Sequence, residues 1–331
     1  MCQVVPGRFL HEAQTSANIK KGRLRITEHF FEVPLDYTKP SANNTIKLFA
    51  RSARKHEKPA DPTDDSSEKK QLPWFVYLQG GPGYECRPPN YYPFVTTVLD
   101  RGYQVLFLDQ RGTGLSAPIS ARTLGLYHRD TDQAQADYLK NFRADSIVKD
   151  CEAIRKALTA NFPQEKQKWS IIGQSFGGFC ATTYLSFFPE GLREVFTTGG
   201  LPPLVDNPDP VYERLYKKVI QRNEAYYQKY PEDIERVKRI VQKLHLNEES
   251  TQSPSGGKLS GSRFQQLGLN FGFHGKHKIS AGQTIANLLK AASTAFMSSY
   301  YAYTRSYGNS SDSLRGKLLQ LSNNRYPSMI I

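Results

Sequence analysis

The chain has 331 residues, 38% of them hydrophobic, and a formal net charge of +13. This composition is typical of a folded globular protein and excludes collagen-like, low-complexity and fully disordered chains. No apolar run approaches the ~18 residues of a membrane span, residues 1–20 show no signal-peptide pattern, and the four cysteines form no C-x-x-C pair. We expect a cytoplasmic protein with reduced thiols, no metal site and no membrane partner.

The positive charge is concentrated at one end of the chain. Residues 275–331 carry seven Lys and Arg against a single acid, Asp312. A nucleic-acid-binding module places its basic residues on a structured face, whereas this segment is rich in Ser, Lys and Asn. We therefore predict an atypical, poorly ordered tail at 276–331 and no nucleic-acid partner.

The first part of the chain predicts alternating strands and loops. Residues 25–34 and 45–52 are β-rich and could pair as an antiparallel ribbon, and the charged segment 55–71 predicts a solvated loop. Residues 72–78 and 103–108 are continuous apolar runs, as expected of central strands covered on both faces. Each run ends in a glycine-rich loop, and in an open α/β sheet the carboxyl ends of the strands form the ligand-binding edge.

The following elements continue the α/β pattern and then depart from it. A helical stretch at 134–160 leads to a strand, a helix at 179–188 and a further strand at 193–198. Residues 207–246 have apolar residues at helical spacing among many charges, which predicts an inserted helical segment. We predict three parts in sequence order: a core at 1–203, a helical lid at 204–275 and the tail at 276–331.

Residues 168–180 predict a strand, a sharp turn and a helix around one serine. The pattern G-x-S-x-G places Ser175 at the turn, where Gly173 and Gly177 let the backbone fold tightly. The N–H of Phe176 then points to where an oxyanion would form. Ser175 is the candidate nucleophile. An ordinary strand-to-helix turn is the alternative, because so short a motif also occurs by chance.

Three loops together carry a more specific signal than this motif alone. In chain order they read G-G-P-G at 80–83, D-Q-R-G-x-G-x-S at 109–116 and G-x-S-x-G-G at 173–178. This order closely resembles the prolyl aminopeptidase (proline iminopeptidase) family of α/β-hydrolase serine peptidases, over roughly residues 22–275. Gln79, in place of the commoner histidine, looks like the fungal type. The resemblance implies the α/β-hydrolase fold, a mostly parallel sheet flanked by helices, with an inserted helical lid.

The resemblance also implies an activity and a site. The activity is release of N-terminal proline, or a similar small residue, from short peptides through an acyl-enzyme and without a cofactor. Ser175 would attack the carbonyl, and the N–H groups of Gly81 and Phe176 would hold the oxyanion. The residues expected to shape the site are Gly80, Pro82, Gly83, Asp109, Gln110, Arg111, Gly173 and Gly177. We expect Arg111 to pair with Asp109 and to brace the site.

A free N-terminal amine requires acids near the site. The candidates are Glu85 and Glu224 first, and then Glu213, Glu232 and Glu235; ordinary surface charge is the other interpretation for each.

The second half of a catalytic triad is not recognisable in the sequence. An acid and then a histidine are expected after the lid, but the residues after 275 offer only Asp312 and His277, and no buried strand ends in either. His245 and His274 are interpreted as lid histidines. We therefore expect the last strands of the sheet and the triad acid and histidine to be absent, and an incomplete chain that is weakly active or inactive.

Three interpretations of the segment after His274 stay open. It could be a non-homologous reading frame, a truncated isoform, or a rewired tail in which His277 and Asp312 join the site. Two other functions also stay open, namely an esterase or amidase on the same fold and a noncatalytic peptide-binding protein. The sequence does not predict the oligomeric state.

Overall fold

The computed structural model describes residues 7–19, 22–55, 71–120, 123–124, 131–246 and 259–266. The chain divides into two units, one comprising residues 1–202 and the other beginning at Pro203. Most of the predicted charged loop, parts of the predicted lid and the whole predicted tail lie outside the described residues. The three-part division therefore stays a prediction.

The first unit is built on a mixed sheet in the order β1-β2-β3-β5-β4-β6-β7. Its strands are β1 Arg8–Ile19, β2 Gly22–Pro34, β3 Thr45–Lys55, β4 Trp74–Leu78, β5 Gln104–Leu108, β6 Trp169–Gln174 and β7 Leu192–Thr198. The first three strands and β5 pair antiparallel, while β5, β4, β6 and β7 pair parallel. The predicted antiparallel ribbon is confirmed as β2 with β3. Strand β1 was not predicted.

The helices of the first unit cover both faces of the sheet. They are α1 Phe94–Asp100, α2 Asp132–Leu139, α3 Ala144–Leu158 and α4 Phe176–Phe187. Every residue of β4 and β5 is buried, and alternate side chains point to opposite faces. Val76 and Leu106 belong to one core cluster with residues of α3 and α4, whereas Phe75 and Phe107 pack with residues of α1 in another. The continuous apolar runs in the sequence follow from this coverage of both faces.

The predicted long helix at 134–160 is interrupted. A short 3-10 turn at 140–142 follows α2, and Arg143 is extended, with φ −101° and ψ 171°. The interruption leaves the carbonyl of Asn141 outside a regular α-helix, where it accepts a hydrogen bond from Arg111 Nη1 at 2.8 Å. The prediction of one continuous helix was wrong at this point.

Strand β7 ends the sheet among the residues that the structure describes. Its Leu192 is buried, while Glu194 and Phe196 are largely exposed. Glu194 accepts hydrogen bonds from Ser170 Oγ at 2.8 Å and from the Tyr103 hydroxyl at 3.2 Å. The expectation that later strands are absent stays a prediction.

The second unit contains helices, as predicted for residues 207–246. They are α5 Asp209–Lys229, α6 Asp233–Leu246 and α7 Gly261–Gln265. Tyr226, Val241 and Phe264 share its apolar core, and the Tyr226 hydroxyl donates to Asp233 Oδ2 at 2.6 Å. Its role as a lid stays a prediction. Across both units, the described helices include none with the length and hydropathy of a membrane span.

Candidate active site

Ser175 lies at a strained turn between β6 and α4. Its φ of 55° and ψ of −120° place a non-glycine residue at positive φ, a conformation that is costly unless the surrounding structure holds it. Two hydrogen bonds do so: the Ser175 N–H donates to the Thr198 carbonyl at 2.9 Å, and the Ser175 carbonyl accepts from the Gly178 N–H at 2.8 Å. The predicted strand, turn and helix are therefore present, and the half-buried Ser175 side chain stands at the turn.

Close backbone contacts around the turn require glycine. A Cβ at Gly173 would lie 2.0 Å from the Gly177 carbonyl oxygen, and a Cβ at Gly177 would lie 2.0 Å from the Leu78 carbonyl oxygen. The motif predicted both glycines but not Gly200, where a Cβ would lie 1.8 Å from the Ser175 carbonyl oxygen. The available signal was a glycine pair, 199–200, at the end of a predicted strand.

Residues 79–86, which we call the oxyanion loop, connect the carboxyl end of β4 to the turn. The backbone of Gly80 is buried against the nucleophile, because a Cβ there would lie 2.9 Å from Ser175 Cβ. Gly81 and Gly83 have φ values of 115° and 106°, which other residues rarely adopt. Pro82 lies between them and is exposed.

The proposed oxyanion donors are the N–H groups of Gly81 and Phe176. Neither donates a backbone hydrogen bond to any residue in the described part of the chain. Phe176 is the first residue of α4, so its N–H is one of those that a helix leaves without an internal partner. Within the described residues, no backbone acceptor therefore competes with an incoming oxygen atom for either group.

Asp109 and Gln110 tie the end of β5 to the oxyanion loop. Asp109 Oδ1 accepts from the Cys86 N–H at 2.8 Å and Oδ2 accepts from the Leu115 N–H at 3.1 Å. Gln110 Nε2 donates to the Gln79 carbonyl at 3.1 Å. Burial raises the pKa of Asp109, and the two backbone N–H groups oppose that rise. These contacts position the loop, so neither side chain is itself a candidate for the chemistry.

The expected ion pair between Arg111 and Asp109 was wrong. Arg111 instead forms a bidentate, fully buried pair with Asp150 of α3, with both N–O distances 2.6 Å. Arg111 also donates to the carbonyls of Pro34 and Leu35. The Asp109 carboxylate is already bonded to two backbone N–H groups and does not need a cation. Within the described part of the chain, the Asp150 carboxylate accepts no such backbone bond and is paired with Arg111 instead. Arg111 therefore braces the end of β2 against α3 and does not brace Asp109.

The two acids suggested for amine recognition lie in different parts of the chain. Glu85 is exposed on the oxyanion loop, and its Cβ lies 2.7 Å from where a Cβ at Gly114 would be. Glu224 is exposed on α5 of the second unit. Recognition of a substrate amine by either residue stays a prediction.

No catalytic base is seen beside Ser175 in the described residues of the first unit. His29, on β2, is buried and bonded to Ser52 Oγ at 2.8 Å, and burial lowers its pKa to about 4. His245 packs within the second unit, where its Nε2 would lie 3.1 Å from a Cβ at Gly261. The remaining candidates, His274, His277 and Asp312, lie outside the described residues.

The described residues also include no group of three or more His, Cys, Asp or Glu side chains placed to hold a metal ion. The chemistry that the described geometry supports is attack by the Ser175 hydroxyl on a carbonyl carbon.

The chain is similar to two proteins named as proline iminopeptidases. Proline iminopeptidase aneH from Aspergillus aculeatus is 48% identical over 268 residues, which are 81% of this chain and 55% of that protein. Proline iminopeptidase from Aeromonas sobria is 42% identical over 248 residues, 75% of this chain and 54% of that protein. The chain thus spans about half the length of these relatives.

The resemblance stated from the three loops is therefore confirmed. Residues 73–255 match the family described by the alpha/beta hydrolase fold, a range that contains β4, β5, β6, β7 and both glycine-rich loops. On this match, and on the sheet and turn described above, the chain belongs to the α/β-hydrolase fold family.

Proposed function

We propose that this chain is the nucleophile-bearing part of a serine aminopeptidase that releases N-terminal proline, or a similarly small residue, from short peptides. The observation that carries the proposal is the strained turn at Ser175, beside two backbone N–H groups that bond no described backbone. The names of the two relatives support the choice of proline as the residue released.

The reaction would proceed through an acyl-enzyme. Ser175 Oγ forms a bond to the carbonyl carbon of the first residue, the hydroxyl proton passes to a base, and the carbonyl oxygen becomes an oxyanion held by Gly81 and Phe176. The C–N bond then breaks, and the leaving amine takes a proton. Water hydrolyses the resulting ester, which releases the amino acid and restores the hydroxyl.

The substrate is a short peptide with a free N-terminal proline, whose protonated amine would be held by Glu85 or Glu224. The protein acts in the cytoplasm.

Labelling with a fluorophosphonate tests the nucleophile directly. The Oγ–P bond forms, the P–F bond breaks, fluoride leaves and the hydroxyl proton passes to solvent. We expect slow but detectable labelling of the wild-type chain, since no triad histidine is recognisable in the sequence, and none of Ser175→Ala. Absence of labelling in a folded wild-type chain would contradict the proposal and leave a noncatalytic peptide-binding protein as the better description.

Turnover of a chromogenic N-terminal prolyl amide tests the reaction class. We expect weak turnover, because no acid and histidine that would complete a triad are recognisable in the sequence after residue 275. Acetylation of the substrate amine should abolish it, whereas an esterase or amidase would tolerate the blocked amine and would prefer a short acyl ester. Robust turnover that disappears in Ser175→Ala would support the proposed reaction and overturn the expectation of low activity.

A further inference from the structure

We infer that Gln79 is a positioning residue of the oxyanion site. Its side chain links β4 to the oxyanion loop and thereby holds the Gly81 N–H toward Ser175. The inference rests on the proposed function, because it concerns how an oxyanion would be held. It assigns a role to the side chain that precedes G-G-P-G.

The side-chain amide of Gln79 is hydrogen-bonded at both ends. Its Oε1 accepts from the Tyr77 hydroxyl at 2.9 Å and from the Gly80 N–H at 2.9 Å. Its Nε2 donates to the Glu85 carbonyl at 3.1 Å and lies 3.5 Å from the Tyr92 hydroxyl. One amide therefore joins Tyr77 and Gly80, which precede Gly81, to Glu85 near the far end of the oxyanion loop.

The backbone of the same residue is held as well. Its carbonyl accepts from Gln110 Nε2 at 3.1 Å, and the same carbonyl would lie 3.0 Å from a Cβ at Gly177 of α4. Both the side chain and the main chain of Gln79 are thus fixed against elements that carry the site.

The position of these contacts is what connects them to the chemistry. Gly80, whose N–H is bonded to Gln79 Oε1, is packed against Ser175, as the 2.9 Å approach to Ser175 Cβ shows. Gly81 follows directly and has φ 115°, a conformation that glycine adopts readily because it has no Cβ. For the same reason the glycine backbone is flexible. Two successive glycines supply little stiffness of their own, so the direction of the Gly81 N–H depends on what fixes the chain before and after it.

Tyr77 gives the arrangement a rigid origin. It lies on β4, is buried, and its ring packs against Tyr92 at a centroid distance of 4.7 Å and against Phe107 at 5.8 Å. Burial raises the pKa of Tyr77 to about 12, so its hydroxyl keeps the proton that it donates to Gln79. The geometry of the sheet is thereby transmitted to the oxyanion loop through one side chain.

Gln79→Met tests the inference, because it keeps the length of the side chain and removes every side-chain hydrogen bond. The measurement is the rate of Ser175 labelling by a fluorophosphonate across probe concentrations, which separates the maximal rate constant from the half-saturating concentration. We expect a maximal rate constant on the order of 10- to 100-fold lower and an unchanged half-saturating concentration, because the probe binds before charge develops on its oxygen.

Gln104→Met is the matched control. Gln104 is a buried glutamine at the opposite end of β5, and its Nε2 donates to the Leu72 carbonyl at 2.8 Å. Each variant loses a side-chain amide, but only the amide of Gln79 forms hydrogen bonds within the oxyanion loop. A maximal rate constant unchanged in Gln79→Met, or lowered equally in both variants, would overturn the inference.

A second measurement keeps the inference testable if the wild-type chain does not label, an outcome that contradicts the proposed function alone. With selectively ¹⁵N-labelled glycine, the Gly81 amide signal should shift or broaden in Gln79→Met and stay in place in Gln104→Met. Gly81 makes no hydrogen bond with the Gln79 side chain, so a change there reports a change of loop orientation. An unchanged Gly81 signal would overturn the positioning role.

Discussion

Gly200 lies directly against the carbonyl of Ser175, so closely that a Cβ at position 200 would be 1.8 Å from that oxygen. Its neighbour Gly199 has φ 63°, and no atom of the described residues lies within 4 Å of an added Cβ there. The two adjacent glycines therefore separate a steric requirement from a conformational one.

Gly200→Ala should displace the Ser175 turn and abolish fluorophosphonate labelling, with a loss of about 1–3 kcal/mol in the free energy of unfolding. Gly199→Ala should cost about 1 kcal/mol for its positive φ and leave labelling close to wild type. The measurements are labelling rate and denaturant titration. Equal labelling of the two variants would contradict the steric explanation.

Asp109→Asn should destabilise the first unit although it changes only one atom. Both carboxylate oxygens accept backbone N–H groups, from Cys86 and Leu115, and an asparagine amide offers one oxygen and one NH₂. One N–H would be left facing another donor, at a cost of about 1–3 kcal/mol. Urea unfolding followed by tryptophan fluorescence reports on this unit, because both tryptophans of the chain lie in it, on β4 and β6.

Asp36→Asn is the control for that substitution. Asp36 also accepts a backbone N–H, from Thr38 at 2.7 Å, but it is near the surface, where water can replace a lost bond. A loss in Asp36→Asn as large as in Asp109→Asn would show that burial is not the reason for the effect.

Arg111→Met should be strongly destabilising because it leaves the Asp150 carboxylate buried without its cation. The pair is fully buried, with exposures of 0% and 1%, and breaking such a pair from one side costs about 3–5 kcal/mol. The double variant Arg111→Met, Asp150→Leu should recover much of this loss, since no buried charge is left unpaired. Failure to recover would assign the loss to the carbonyl hydrogen bonds of Arg111 and to the bond that the buried Tyr37 hydroxyl donates to Asp150 Oδ1.

Acid should destabilise the first unit through His29. Burial lowers the pKa of His29 from 6.5 to about 4, so the folded state favours the neutral ring while the unfolded chain takes up a proton below pH 6.5. Stability from this residue is therefore complete above pH 6.5 and is lost as the pH falls toward 4, by about 3 kcal/mol in total.

His29→Gln isolates this contribution. The difference in unfolding free energy between wild type and variant should be constant above pH 7 and should shift toward the variant between pH 6.5 and 4. Subtracting the two curves removes the contribution of the carboxylates common to both. A difference that does not vary with pH would contradict the lowered pKa.

The sequence was most informative where structure depends on neighbours along the chain. The apolar runs of β4 and β5 and the G-x-S-x-G turn are local patterns with a direct physical cause, and each appears in the structure. Gly173 could be identified because its crowding comes from the turn itself, at the Gly177 carbonyl, whereas Gly177 was found through the motif although the Leu78 carbonyl that crowds it belongs to β4.

Contacts between distant parts of the chain could not be read in this way. Asp150 is 39 residues from Arg111, and the acid closest in sequence, Asp109, was the natural but wrong choice of partner. Gly200 was missed for the same reason, since the carbonyl that excludes its side chain belongs to a different loop. The break at Arg143 likewise lies beside a long-range contact, the hydrogen bond from Arg111 Nη1 to the Asn141 carbonyl.

The hydrogen bond from the Ser175 N–H to the Thr198 carbonyl has a consequence for the order in which the protein is made. One of the two hydrogen bonds that hold the strained backbone of Ser175 comes from β7, which follows the turn in synthesis. We therefore expect a nascent chain that has released Ser175 but not Thr198 from the ribosome to hold the turn less firmly. The geometry of the nucleophile would then be complete only after β7 has been translated.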